Sequence, residues 1–230
     1  MLLEIIATTV KDAVIAEQGG ADRIELITAI SEGGLTPSLA LIEKVRESVA
    51  IPVRVMVRPH ARSFQYDPED IEVMRRDITH IATVGGLGIV MGMLRQDGSV
   101  DEENLKTLLY AADGMEVTFH RAFDEVRNPL EAMRTLSRYP EITDILTSGG
   151  ASTAPLGTEQ LSELRRLTEG QSISILVGAG LTEHNLEAFI RDTDITRVHF
   201  GSAVREEGNP LKGIDEGRLY KIRGLLDSFK

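Results

Sequence analysis

The sequence predicts a single-domain α/β protein over residues 1–230, a closed (β/α)8 barrel of the TIM type. Short apolar runs alternate with longer amphipathic segments from end to end. The alternation repeats eight times, about 29 residues to a unit, close to the spacing of barrels of about 250 residues. Strict alternation implies parallel strands joined by right-handed crossovers. A doubly wound open sheet is the runner-up. It needs an edge strand that tolerates solvent, and none of the runs is obviously polar. No linker, low-complexity tract or composition shift marks a second domain.

The elements follow in order. The first strand covers residues 2–6, and the first helix, 11–18, stops at Gly19-Gly20. The second strand is 23–27. Thr36-Pro37-Ser38 opens a helix to about Val49, with Pro or Ser near its start. Pro52 and Pro59 bracket the third strand, 53–57. Asp67-Pro68 opens the helix to Val84, and Gly85-Gly86 closes it. The fourth strand is 87–91, followed by a helix capped by Asp101 and running to Ala112. The fifth strand is 116–120, and Asn128-Pro129 starts a helix to about Arg138. Strand 144–147 precedes helix 158–167, and strand 173–177 precedes a helix from Thr182 to about Ile190. Strand 197–200 and a helix over 214–229 finish the chain.

Composition narrows the function classes. A hydrophobic fraction of 42% with 27% charged residues is that of a soluble globular protein. A net charge of −11 argues against a general nucleic-acid or anionic-membrane surface. With no cysteine, disulfides, zinc fingers, iron–sulfur clusters and thiol catalysis are excluded. The N-terminus lacks a basic signal-peptide region, and no stretch approaches a membrane span of roughly 18 apolar residues. A cytoplasmic location is expected, and a symmetric homodimer is the default assembly.

In such a barrel the chemistry sits in the loops after the strands. Those loops are long here (28–37, 58–67, 148–157, 201–213), whereas turns such as 20–22 and 113–115 are short. Strand residues two apart share a face. Arg23 with Glu25, Arg54 with Met56 and Arg58, Glu116 with Thr118 and His120, and Arg197 with His199 are such sets. An apolar face belongs against the helices, so these sets point inward, where charge is costly unless paired. Arg23, Arg54, Glu116 and Arg197, early in their strands, suit a stabilising ionic network. Glu25, Arg58 and His120, at strand ends, are as well placed for a ligand, and Glu4 lies between the two groups.

The run Val117-Thr118-Phe119-His120-Arg121-Ala122-Phe123-Asp124 concentrates candidate chemistry. His120 is the candidate proton-transfer group, with Glu25, Glu4 or Asp124 to orient it; the alternative is a satisfied core histidine. Arg58 and Arg121 suit an anionic substrate. The loops Gly178-Ala179-Gly180 and Gly201-Ser202, helped by Ser148-Gly149, offer backbone N–H groups to a phosphate, although glycines also simply make tight turns. A soft copper site would draw on Met56, Met91 and Met93 with His60, His120 and His199, but strand methionines are more often packing. No metal site is assigned. Residues 60–66 form either a lid or a surface loop.

Several segments carry a resemblance: Ala21-Asp22-Arg23-Ile24-Glu25-Leu26, Glu32-Gly33-Gly34-Leu35-Thr36-Pro37-Ser38, Arg58-Pro59, 117–124 with Asn128-Pro129, Leu146-Thr147-Ser148-Gly149 and Ala179-Gly180. In this order and spacing the chain resembles the CutC family from Leu3 to about Ala203. The resemblance implies a TIM barrel, a cytoplasmic protein and a link to copper homeostasis. It is the sole pointer to copper as a ligand. It also implies a rim set of Glu4, Glu25, Arg58, His120, Arg121 and Asp124. Where it implies cysteines, this chain has Ile6, Ala7 and Ile27. The expected function is binding of a small anionic, even phosphorylated, metabolite at the strand C-termini. A copper binder using Met and His, or a non-catalytic scaffold, are the alternatives.

Overall fold

The structure, a computed structural model, describes residues 1–229. Its strands are β1 Leu2–Ala7, β2 Arg23–Leu26, β3 Val53–Met56, β4 Gly88–Met91, β5 Val117–Phe119, β6 Ile142–Thr147, β7 Ser174–Val177 and β8 Arg197–Phe200. All pair in parallel with their sequence neighbours, and β8 closes back onto β1 with Glu4 beside His199. Closure leaves no edge strand and rules out the open sheet.

The helices are α1 Val10–Gln18, α2 Leu39–Ser48, α3 Pro68–Val84, α4 Glu102–Ala112, α5 Pro129–Leu136, α6 Thr158–Leu167, α7 Leu186–Thr193 and α8 Glu216–Asp227. Side-chain caps explain most starts, because they satisfy N–H groups that the first turn leaves free. Ser38, Asp101, Asn128 and Asp215 each accept one, and Asp67 forms a reciprocal capping box with Asp70.

α7 begins later than Thr182 predicts. Asn185 Oδ1 accepts the Thr182 N–H at 2.8 Å, and Asn185 Nδ2 donates to the Gly180 carbonyl at 2.9 Å. They close a turn over 182–185 whose Thr182 carbonyl accepts the Leu186 N–H at 3.1 Å, and the regular helix runs from Leu186. β5 is likewise shorter than predicted. His120 still donates its N–H to the Met91 carbonyl at 3.0 Å, but its side chain caps the short 3-10 helix Arg121–Glu125 that turns the chain away.

The alternation along the strands divides the interior in two. Leu3 and Ile5, Ile24 and Leu26, and Val53 and Val55 are buried in the main apolar core that also takes in helix residues such as Ile42, Met74 and Leu105. The intervening polar side chains fill the barrel's interior. There Asp144, fully buried, accepts from Arg23 at 2.9 Å and from Arg54 and Arg197 at 2.8 Å each. Arg54 also bonds Thr118, Thr143 at 2.6 Å and Glu116 at 2.9 Å. The expected ionic network is therefore present, with Asp144 as its hub. It forms a floor beneath the mouth.

Candidate functional site

Above that floor lies a cavity of about 670 Å³ at the C-terminal ends of the strands. Glu25, Arg58 and His120 line it, with Asp124, Arg121, Gly180, Gly201 and Ser202 toward the rim. Glu4 is fully buried beneath it. Ser148, Gly149 and Gly178 do not line it. The Gly178 backbone instead packs so closely that an added Cβ would stand 3.0 Å from Leu146 and 3.1 Å from His199.

One wall is a stack. Arg58 follows β3, and its Nη1 donates to the carbonyls of Glu32 at 3.0 Å and Gly34 at 3.2 Å. Gly33 and Gly34 reach this position with φ of +82° and +92°, where a side chain would be strained. The guanidinium lies 4.7 Å from the Phe64 ring centroid, and Phe64 lies 4.8 Å from the His120 ring. Phe64 thus sets residues 60–66 against the mouth, and its carbonyl accepts the Leu94 N–H. His60 turns aside to pair with Asp70 at 2.9 Å.

His120 is 3% exposed. Burial and the nearby Arg58 charge push its pKa down to about 3, so the ring is neutral at pH 7. Its Nδ1 accepts the Ala122 N–H at 3.1 Å. The single ring proton therefore sits on Nε2, a buried donor with no partner. None of the three carboxylates expected to orient His120, Glu4, Glu25 and Asp124, bonds it. Asp124 accepts from Arg121 at 2.7 Å, from the N–H groups of Ser148 and Gly150, and from Thr147. It ties the loop after β5 to the loop after β6. A catalytic assignment for Asp124 does not suit a carboxylate so fully occupied.

Glu25 faces His199 instead, a residue the sequence offers only as the strand neighbour of Arg197 and as one histidine of a copper set. His199 Nδ1 lies 2.8 Å from Glu4 Oε1, and its Nε2 lies 3.8 Å from Glu25 Oε2. Burial favours neutral Glu4, but Arg23 and then His199 outweigh it and hold the carboxylate at about 2. Glu25 has no such cation in contact. Burial pushes it up to about 7, with the Glu4 charge adding to the rise and His199 opposing it. Burial would lower His199, but the two carboxylates raise it.

The donor atoms of Glu4, Glu25 and His199 lie within 4.8 Å of one another, a spacing that invites comparison with a cation site. Ligand bonds of about 2.1 Å hold two donors on one ion about 3 Å or more apart. Glu4 and His199 are at 2.8 Å, the length of a shared proton.

The methionines divide. Met56 lines the cavity, whereas Met91 and Met93 are buried in the apolar core. No helix among the described residues is long and apolar enough to cross a membrane.

Fold and site together define a TIM-barrel protein with a ligand-sized polar mouth at the usual functional face. The CutC family model matches residues 1–204, and the chain belongs to the CutC family. A CutC family protein of Yersinia enterocolitica is 41% identical over 227 residues, covering 99% of this chain and 88% of that one. The human copper homeostasis protein cutC homolog is 39% identical over 208 residues, covering 90% and 76%. The solved CutC structure from Streptococcus agalactiae superposes with a TM-score of 0.80 at 26% identity, covering 86% of this chain and 97% of that one. Phosphoribosylanthranilate isomerase from Pyrococcus furiosus, with a TM-score of 0.63 at 17% identity and 99% coverage of both chains, shares the fold.

Proposed function

We propose that the mouth binds a small anionic metabolite. Arg58 holds its negative charge, and His120 supplies a neutral N–H donor. The observation that carries this reading is a pair of unsatisfied donors in one cavity wall. Arg58 Nε and His120 Nε2 are both buried and make no hydrogen bond of ordinary geometry, with the Tyr66 hydroxyl standing near the Arg58 guanidinium. A buried donor left unmade costs about 1–3 kcal/mol, so two of them at a ligand-sized cavity mark where a ligand's acceptors belong. The apolar side chains of Ile6, Ile27, Met56 and Leu146 complete the enclosure and strengthen the charge contact.

The test is a thermal shift of the full chain with phosphate, sulfate, small carboxylates and sugar phosphates. Ligand at a hundredfold over Kd adds about 2.7 kcal/mol, which for a chain of this size is about 5–10 °C. At least one anion at millimolar concentration should give such a shift, and Arg58→Gln or His120→Gln should weaken it at least tenfold. No shift from any anion, or a shift that both variants retain, would sink this reading.

Copper homeostasis, the role in the human relative's name, gives a second reading in which copper is the cargo. Met56, His120 and His199 at one cavity favour it. The donor chemistry does not fit soft Cu(I), which prefers thiolate or several thioethers. The chain has no cysteine, and two of the three candidate methionines pack in the core. With Nδ1 bonded to the Ala122 N–H in His120 and to Glu4 in His199, each ring offers only Nε2, and two imidazoles with one thioether remain a poor set for Cu(I).

A further inference from the structure

We infer that His199 is a catalytic acid–base residue positioned by Glu4, and that with Glu25 it isomerises a small anionic carbonyl compound through its enol form. The inference rests on the anion-binding reading above and adds the chemistry. Glu4 is held on its other oxygen by Arg23, and Arg23 by Asp144, so its carboxylate cannot turn toward the mouth. An ionised carboxylate only accepts. His199 must therefore donate through Nδ1, which leaves Nε2 facing Glu25. A carboxylate fixing the tautomer of an imidazole whose other nitrogen meets the reactant is the general logic of an activated base.

Glu25 is 2% exposed, and its Oε1 has no partner. Its Oε2 lies 3.8 Å from His199 Nε2, beyond hydrogen-bond length. Two proton carriers thus stand side by side at the cavity, each with an uncommitted atom. A third group, His120 Nε2–H, is a neutral donor in the opposing wall. A carboxylate base combined with a neutral imidazole donor suits proton abstraction next to a carbonyl.

The step balances without a cofactor. Glu25 takes the proton from the carbon beside the carbonyl. The C–H electron pair forms the new C=C bond, and the carbonyl π pair moves to oxygen, where His120 N–H stabilises it. His199 takes the hydroxyl proton of the neighbouring carbon and delivers it to that oxygen. Glu25 returns its proton to the former carbonyl carbon. One carbon-bound and one oxygen-bound proton have moved, with no oxidant or co-reactant.

The experiment incubates the full chain in D2O with hydroxy-ketone phosphates, hydroxy-aldehyde phosphates and hydroxy-keto acids. Proton NMR follows the loss of the carbon-bound signal next to the carbonyl. At least one compound that gives a thermal shift should exchange, with the rate falling at least 100-fold in Glu25→Gln and at least 10-fold in His199→Gln. In ¹⁵N-histidine spectra, wild type should show His199 protonated at Nδ1 with a far-downfield proton, and Glu4→Gln should lose that downfield shift. Compounds that stabilise the chain without exchanging would overturn the inference and leave the anion site standing. No thermal shift from any compound would overturn both. A wild-type His199 protonated at Nε2 alone would overturn the positioning role of Glu4 directly.

Discussion

Asp144 gathers the guanidiniums of Arg23, Arg54 and Arg197 on one fully buried carboxylate, with Arg23 and Arg54 buried beside it and Arg197 reaching in from the partly exposed end of β8. Its net contribution to folding is small, because desolvating charges offsets most of their attraction. Removing it is another matter, since Arg23 and Arg54 would stay buried with less compensation. Asp144→Asn, which keeps the volume, should cost about 3–5 kcal/mol in urea unfolding at pH 7. A loss within error of zero would mean that Glu4, Glu116 and water satisfy those cations unaided. The exposed pairs of Glu72 with Arg75 and Arg76 are the contrast, and Glu72→Gln should leave the midpoint nearly unmoved. Inward-pointing arginines were legible from the period-two pattern. Asp144 as their shared partner was not. That depends on which strand residues lie level across the barrel, and the register shift between β5 and β6 near Val117 hides it from any one strand.

The short 3-10 helix Arg121–Glu125 shows how an element's end sets a residue's role. The sequence pattern extends β5 to His120 because apolar and polar residues still alternate there. The strand ends at Phe119, the His120 N–H makes a last bond to Met91, and the His120 ring caps the turn that follows. That cap fixes the tautomer of His120 and leaves its remaining N–H, on a residue that lines the mouth, without a partner. Asp124 has the matching task one turn later, holding the N–H groups of Ser148 and Gly150. Asp124→Ala should destabilise the fold by about 1–3 kcal/mol, the worth of hydrogen bonds to a charged acceptor. It should also speed hydrogen exchange at the Ser148 and Gly150 amides more than at the β6 amides. Unchanged protection at those two amides would show that the loop holds its shape without the carboxylate.

At the scale of the whole molecule, the barrel was legible because eight repeats of two periodicities leave few ways to bury every apolar face. The cavity lining was legible in part, because Glu25, Arg58 and His120 end their strands. The Glu4–His199 pair was not, because β1 and β8 are almost 200 positions apart in sequence and only closure sets Glu4 beside His199. Closure also gives the molecule a pH dependence. Glu4, depressed to about 2, contributes stability that is present above its ordinary pKa of 4.5 and is lost as pH falls toward 2. Glu25, raised to about 7, has the opposite sign. Between 4.5 and 7 the folded chain keeps a proton that the unfolded chain releases, so stability falls as pH rises. His199 adds to that fall, because its raised pKa favours the folded state only while the ring is protonated. His120 opposes the fall below 6.5, because its ring, depressed to about 3, stays neutral in the folded chain while the unfolded chain binds a proton. The Glu25 and His120 slopes therefore offset one another between 4.5 and 6.5, and the decline belongs above that window. Glu25→Gln removes the buried carboxyl's titration but keeps its shape. Relative to wild type, Glu25→Gln should gain stability in urea between pH 5 and pH 8 and be the more stable protein at pH 8. An equal change in the two proteins would place the titrating charge elsewhere in the barrel.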